Sequence, residues 1–292
     1  MSAAPRTRCR LPALHRRHWL ALQLISATGV ASAQPSPGQV RTAQRVLQVG
    51  IEGALVASGL AARLREALKR DTGLLLQWVE GASGTLLPVL ERGELDVALT
   101  SSPETELALE RKGLVHDRRR VALTDHVLVG PAPVRATKKT PASGDPAGLA
   151  GSRDIGAALA AIARAGSEGT AAFIATGEPS GTRALEQAAW KLAGPLPIGA
   201  WLRTAGSGPL AALQTARTGA AYALVERGVW LANGGGGLAL LAEDPARLAT
   251  PYHVMRPFRS QHPAAKLAVA WLAGPNGQRT VAGFGRGYRR GA

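Results

Sequence analysis

From Arg45 onward the chain repeats one pattern: a short apolar run, a turn, then an amphipathic stretch of helical length. No other feature constrains the fold as much, because strands that alternate with helices of ten to fifteen residues indicate βα units and a largely parallel sheet. Arg45 to Ile51 reads as a strand, and Ser58 opens a helix to about Arg70 with Leu60, Leu64 and Leu68 at four-residue spacing. Asp71-Thr72-Gly73 ends it. Leu74 to Val79, Leu95 to Thr100 and Val121 to Val129 read as strands, with helices from the Gly81–Thr85 loop to Arg92 and from Pro103 to Lys112. Gly130 to Pro146 holds four prolines and breaks the pattern, which marks a crossover.

The pattern then resumes. Helices are predicted at about 152–165, from Thr182 to Leu192, from Pro209 to Arg217 and from Pro263 to Leu272, and another begins near Asn276. Strands are predicted at Ala172 to Thr176, Ala200 to Thr204, Ala220 to Val225 and Tyr252 to Met255. The Gly234–Gly237 run is irregular. The segments starting at Ser83-Gly84 and Ser207-Gly208 are alike: each is a Ser-Gly turn, a short helix and a strand. That likeness suits two similar lobes as well as generic βα units.

Candidate chemistry sits where helices start. Ser58-Gly59, Ser83-Gly84-Thr85, Ser180-Gly181-Thr182 and Ser207-Gly208 put small hydroxyl and glycine residues at four predicted helix N-termini. The first N–H groups of a helix lack internal partners and carry the positive end of its dipole. Glycine lets a ligand approach the backbone. Any one loop is explained by N-capping alone; four that converge would make an anion site of neutral donors.

The first 33 residues follow another logic. Five arginines and no acid precede the apolar stretch Trp19 to Val30, and Ala31-Ser32-Ala33 follows, which predicts an export signal cleaved after Ala33. Residues 34–44 read as a linker. Cys9 is the only cysteine, so the mature chain carries no disulfide, thiolate metal site or cysteine nucleophile. Of 35 basic residues five leave with the signal, so 30 face 20 acids, near +10. Arg118-Arg119-Arg120 and Lys138-Lys139 read as solvated clusters. Nucleic acid is not an expected partner, because no zinc-finger spacing or aromatic-basic stacking pattern is present.

Enzyme signatures are missing. Gly81-Ala-Ser83-Gly84-Thr85 places its second glycine one position too early for a nucleophile elbow, and neither a P-loop nor a His-Glu-x-x-His is found. His116, His126, His253 and His262 lack ligand-spaced neighbours and read as surface or strand-end residues, with His126 and His253 as candidate neighbours. No catalytic residue, metal site or cofactor is predicted.

Ser58-Gly59-Leu60, Arg92 to Thr100 with Ser102-Pro103-Glu104, Leu123 to Pro131, Ser180-Gly181-Thr182, Ala189-Trp190-Lys191, Ala220 to Leu224, Pro251 to Val254 and Pro275 to Gln278 together resemble the type II periplasmic substrate-binding proteins of ABC transporters, most closely their tungstate-binding branch. The resemblance implies a two-lobed α/β fold. Each lobe would be a mixed, mostly parallel sheet flanked by helices, with two hinge crossings: lobe I at 45–130 plus 252–292 and lobe II at 131–251. It implies a periplasmic monomer that clamps a small oxyanion such as tungstate or molybdate and docks on a membrane permease. The implied ligand-binding residues are Ser58, Ser83, Gly84, Thr85, Ser102, Ser180, Gly181, Thr182, Ser207 and Gly208.

The chain departs from that family at three places. The first strand ends in Ile51-Glu52-Gly53-Ala54-Leu55 where the family has Thr and Ser, Thr176 stands in place of an Arg, and Ala57 in place of an acid. Glu52 beside a bound anion would cost roughly 4 kcal/mol at about 4 Å and an effective dielectric near 20. A different anion, a neutral or cationic solute, or a sensor role without a transported ligand are therefore alternatives.

Overall fold

The computed structural model describes residues 46–137, 144–195 and 198–291. The predicted signal, Cys9, the linker and the Lys138-Lys139 pair lie outside the described residues.

In chain order the first elements are β1 (Leu47–Glu52), α1 (Gly53–Ala57), α2 (Leu60–Thr72), β2 (Leu76–Gly81), α3 (Ser83–Glu91), β3 (Val97–Thr100), α4 (Pro103–Arg111) and β4 (Val115–Pro131). The middle of the chain forms α5 (Ile155–Ser167), β5 (Phe173–Ala175), α6 (Gly181–Ala193), β6 (Leu202–Thr204), α7 (Ala211–Thr218), β7 (Ala223–Glu226) and α8 (Arg227–Asn233). It closes with β8 (Leu238–Glu243), β9 (Ala249–Pro257), α9 (Ala265–Ala273), α10 (Pro275–Phe284) and β10 (Arg289–Arg290).

The main sheet runs β10-β4-β9-β3-β1-β2, and β7 and β8 pair with the far end of β4. A two-stranded β5–β6 sheet lies alongside, bridged to the rest through Phe173 and Tyr222. β1 is parallel to β2 and β3, and β5 to β6, as βα connections require. β9 runs antiparallel to β3 and β4, and β4 also runs antiparallel to β7, β8 and β10. The sheet is therefore mixed, with fewer parallel pairings than the alternation suggests. The cause is that the long strands β4 and β9 run opposite to their neighbours, and every antiparallel pairing among the described residues involves one of them.

Packing makes two lobes. On one, Leu60, Leu64 and Leu68 of α2 and Ala268, Val269 and Leu272 of α9 cover β1, β3 and β9, while Leu86, Leu87 and Leu90 of α3 fill the other face. On the other, Leu159 and Ile162 of α5 pack with Phe173, Trp190, Tyr222 and Leu241, and a second cluster joins Leu213 and Ala216 of α7 to Val127, Val129 and Val225.

Local chemistry sets the element ends. Gly59 and Gly73 bracket α2 with φ of 90° and 71°, a left-handed region that favours glycine. The helix expected from Ser58 begins two residues later, at Leu60, because Ser58 is the C-cap of a five-residue α1 that precedes it. β4 begins six residues earlier than expected and absorbs Arg118–Arg120. Arg118 is not solvated: its guanidinium pairs with buried Glu106 at 3.1 Å and lies 3.0 Å from His253 Nδ1. The exposed Arg119 and Arg120 keep the expected character.

The histidine expectations are corrected too. His126, His253 and His262 are buried. His126 and His253 are not neighbours: His253 pairs across the sheet with Arg120, and His126 with Glu226.

Candidate functional site

β1 is buried between β2 and β3 and delivers its last residue, Glu52, to the junction of the two lobes. Glu52 is only 3% exposed. One carboxylate oxygen accepts the Gly181 N–H at 3.1 Å, and the other accepts the Ser101 hydroxyl. The Ser83 hydroxyl lies near enough to favour the charged carboxylate, and its oxygen accepts the Ser101 N–H at 3.3 Å. These donors come from three helix entrances: Ser83 opens α3, Ser101 precedes α4 and Gly181 opens α6. Burial without a neighbouring cation pushes the Glu52 pKa up, against the pull of these hydrogen bonds.

The lobes meet closely around this carboxylate. Gly84 N–H donates to the Pro179 carbonyl at 2.8 Å. A Cβ on Gly181 would lie 2.1 Å from Ser101 Oγ, and one on Gly84 would lie 2.6 Å from the Pro179 carbonyl oxygen. Both positions therefore require glycine for the lobes to touch as they do.

Beside Glu52 lies a cavity of about 30 Å³, room for about two waters. Its lining includes Glu52, Thr176, Glu178, Ser180, Thr182 and Glu226, and among the described residues no Lys, Arg or His lines it. Two of its backbone donors, the N–H groups of Thr176 and Gly208, already have internal partners. Glu178 accepts the Gly208 N–H at 3.0 Å, and Glu186 accepts the Thr176 N–H and hydroxyl at 3.0 and 3.1 Å. Glu226 accepts both the Tyr252 and Tyr288 hydroxyls. Burial lifts Glu186 and Glu226 to about 7. His126 sits between Thr250 Oγ1 at 2.9 Å and Thr182 Oγ1 at 3.0 Å, and burial drives its pKa down to about 4, so it is neutral.

Of the ten candidate residues, Ser83, Gly84, Ser180, Gly181, Thr182 and Gly208 gather at this junction. The Ser180 hydroxyl caps α6 by accepting the Arg183 N–H at 3.3 Å. The Thr85 hydroxyl turns away to the Ala82 carbonyl at 2.8 Å. Ser102 lies in a separate groove of about 340 Å³ between the α4 entrance and α6. Ser58 is buried away from the cavity, 2.9 Å from the Tyr288 hydroxyl, and Ser207 is exposed outside the cavity lining. The last two fail for one reason: neither starts a helix, since α2 begins at Leu60 and α7 at Ala211.

Sequence reading missed Ser101, Glu178 and Glu226. Ser101 carries a usable signal, a run of hydroxyls (Thr100-Ser101-Ser102) at a strand end just before a helix-opening proline. The two glutamates carry none, since their neighbours come from distant segments.

Comparison with known proteins follows the same lines. Residues 38–273 match the family model described as a PBP superfamily domain. A relative from Haloferax volcanii, described as an ABC transporter anion-binding protein, is 28% identical over 78% of this chain, and the match spans 65% of the relative's own length. The tungstate-binding protein TupA of Peptoclostridium acidaminophilum is 28% identical over 90% of both chains. Among solved structures, the tungstate ABC transporter protein of Geobacter sulfurreducens superposes with a TM-score of 0.70 at 27% identity, covering 82% of this chain and 98% of its own. With two lobes around a junction of helix entrances, and a family model matching most of its length, the chain belongs to the periplasmic-binding-protein superfamily.

Proposed function

We propose that the chain is the solute-binding component of an ABC importer, exported through residues 1–33, which captures a small oxyanion between its lobes and presents it to a membrane permease. The observation that carries this reading is the Glu52 carboxylate itself. An anionic group is held at the lobe junction by neutral donors from both sides, the Ser101 hydroxyl from one and the Gly181 N–H from the other, with the Ser83 hydroxyl close by. Such donors suit an oxyanion, whose oxygens only accept. The relatives described as anion-binding and tungstate-binding support the same class.

Lobe I would comprise 45–130 with 252–292, and lobe II 131–251. Closure buries the ligand and is driven by its greater affinity for the closed form. Binding and release need no catalytic group, cofactor or nucleic acid, and a monomer suffices.

The test is a thermal shift of the chain from Gln34 with tungstate, molybdate, sulfate and phosphate in turn. At a hundred times Kd a ligand adds about 2.7 kcal/mol, a rise of roughly 5–11 °C for a domain of this size. One oxyanion should give this rise, and Ser83→Ala should weaken it. A flat response to all four, in both the natural chain and Glu52→Ser, would overturn the reading.

A second reading is favoured by the same carboxylate. Because Glu52 already fills the donors, the chain can serve as a sensor or accessory factor with no transported ligand. Neighbouring genes for a permease and an ATPase favour transport, and a neighbouring sensor kinase favours signalling.

A further inference from the structure

We infer that Glu52 is a tethered ligand: its side chain occupies the oxyanion position, holds the lobes together without solute, and competes with any free anion for the same donors. This deepens the anion-binding reading and rests on it for the identity of the competitor.

Three observations carry the inference. First, the bonding is that of a guest. A carboxylate with 3% exposure takes hydrogen bonds from the Ser101 hydroxyl and the Gly181 N–H, that is, from both lobes at once, with the Ser83 hydroxyl beside it. A residue serving only its own lobe would not need the opposite helix entrance. Second, the surroundings offer it no cation. Glu106 and Glu226 lie close enough to act on it unfavourably, and Glu178 lines the same cavity. A buried carboxylate in that company is costly, so it stays because the donors hold it. Third, the remaining cavity of about 30 Å³ has room for about two waters. An oxyanion that bonds the same donors has to displace the Glu52 carboxylate from them.

The consequence is quantitative. A side chain tethered a few bonds from its site acts at an effective concentration in the millimolar range or above. Free anion must outcompete it, so the apparent affinity falls by the fraction of time the donors are free. Removing the tether should raise affinity for the oxyanion and open the empty cleft.

The experiment compares the natural chain from Gln34 with Glu52→Ser and Glu52→Gln. Tungstate, molybdate, sulfate and phosphate are titrated by calorimetry, and the ligand-free radius of gyration is measured by solution scattering. Glu52→Gln keeps the side-chain volume and removes the charge, so it guards against a Ser variant that packs badly. Expected are a larger ligand-free radius for Glu52→Ser and an oxyanion affinity higher by about tenfold or more, the scale of one charge-assisted hydrogen bond, with Glu52→Gln intermediate. If both variants keep the compact ligand-free radius and bind no tighter, the tether is overturned, while oxyanion binding by the natural chain would leave the anion-binding reading standing. If the variants open but none of the three proteins binds an oxyanion, the tether stands and the anion-binding reading falls.

Discussion

The N–H of Gly84 donates to the carbonyl of Pro179 across the junction at 2.8 Å, and an added methyl at Gly84 would lie 2.6 Å from that same oxygen. The neighbour is backbone and cannot swing aside. The two segments belong to separately packed layers, so the strain is relieved by parting them rather than by unfolding. Gly84→Ala should therefore leave the melting temperature within a few degrees of the natural chain, enlarge the radius of gyration and lower oxyanion affinity about tenfold or more. An unchanged radius and affinity would show that this contact does not govern closure.

Three buried glutamates make stability depend on pH in an unusual direction. Burial lifts Glu186 and Glu226 to about 7, and raises Glu52 as well. A raised carboxyl pKa means that the folded state binds protons the unfolded chain has released, so the contribution is full below about 4.5 and lost as pH rises through 7. Each of the two is worth on the order of 3 kcal/mol. His126, lowered to about 4, acts in the opposite sense between about 4 and 6.5 and is silent above that. Stability should thus fall between about pH 4.5 and 7, most steeply above about 6.5 where His126 no longer opposes it, and Glu226→Gln should flatten that slope and raise the melting temperature at the upper end. A slope of the opposite sign, or one untouched by Glu226→Gln, sinks this account.

Arg227 ties the two ends of the junction strands. Its guanidinium reaches both oxygens of Asp125 at 2.7 and 2.6 Å and Glu243 at 2.7 Å, joining β4, α8 and β8. Asp125 is 4% exposed, so losing its partner strands a buried charge. Arg227→Ala should cost about 3–5 kcal/mol in urea unfolding, and Arg227→Lys less, because it keeps the charge without the fork. A loss under about 1 kcal/mol would place this network among ordinary surface pairs.

Glu106 is the anchor of the loop that carries Ser101. Fully buried, it accepts from the Thr100 hydroxyl at 2.7 Å and the Ser102 N–H at 3.0 Å, and lies 2.8 Å from His253 Nδ1 and 3.1 Å from Arg118. Glu106→Ala should lower stability by about 3 kcal/mol or more and weaken oxyanion binding too, since the Ser101 hydroxyl loses its support. If stability drops and affinity does not, Glu106 serves the fold alone.

How far the sequence carries depends on how local each signal is. The α/β class, the long helices α2, α5 and α6, and the donors Ser83 and Gly181 follow from periodicity and capping, which act within one or two turns. The five-residue α1 and seven-residue α8 are too short to show a period, and β8 hides behind the Gly234–Gly237 run. Arg118 looked solvated because its partner Glu106 sits twelve residues away on another element. Glu226 was invisible for the same reason: Tyr252 and Tyr288 come from 26 and 62 residues downstream. Glu52 stood out only as a residue against the family pattern, and its meaning required the opposite lobe.

β4 pairs through residues 115–125 with β9 and through 126–131 with β7 and β8, so one continuous strand is a beam common to both halves. Neither half owns a complete sheet. A protein built this way can bend at its middle but cannot be divided at the end of β4: severed after Pro131, the second half would lose the strand that pairs β7 and β8 and expose their edges. The molecule is thus one melting unit that carries a joint, rather than two modules on a string.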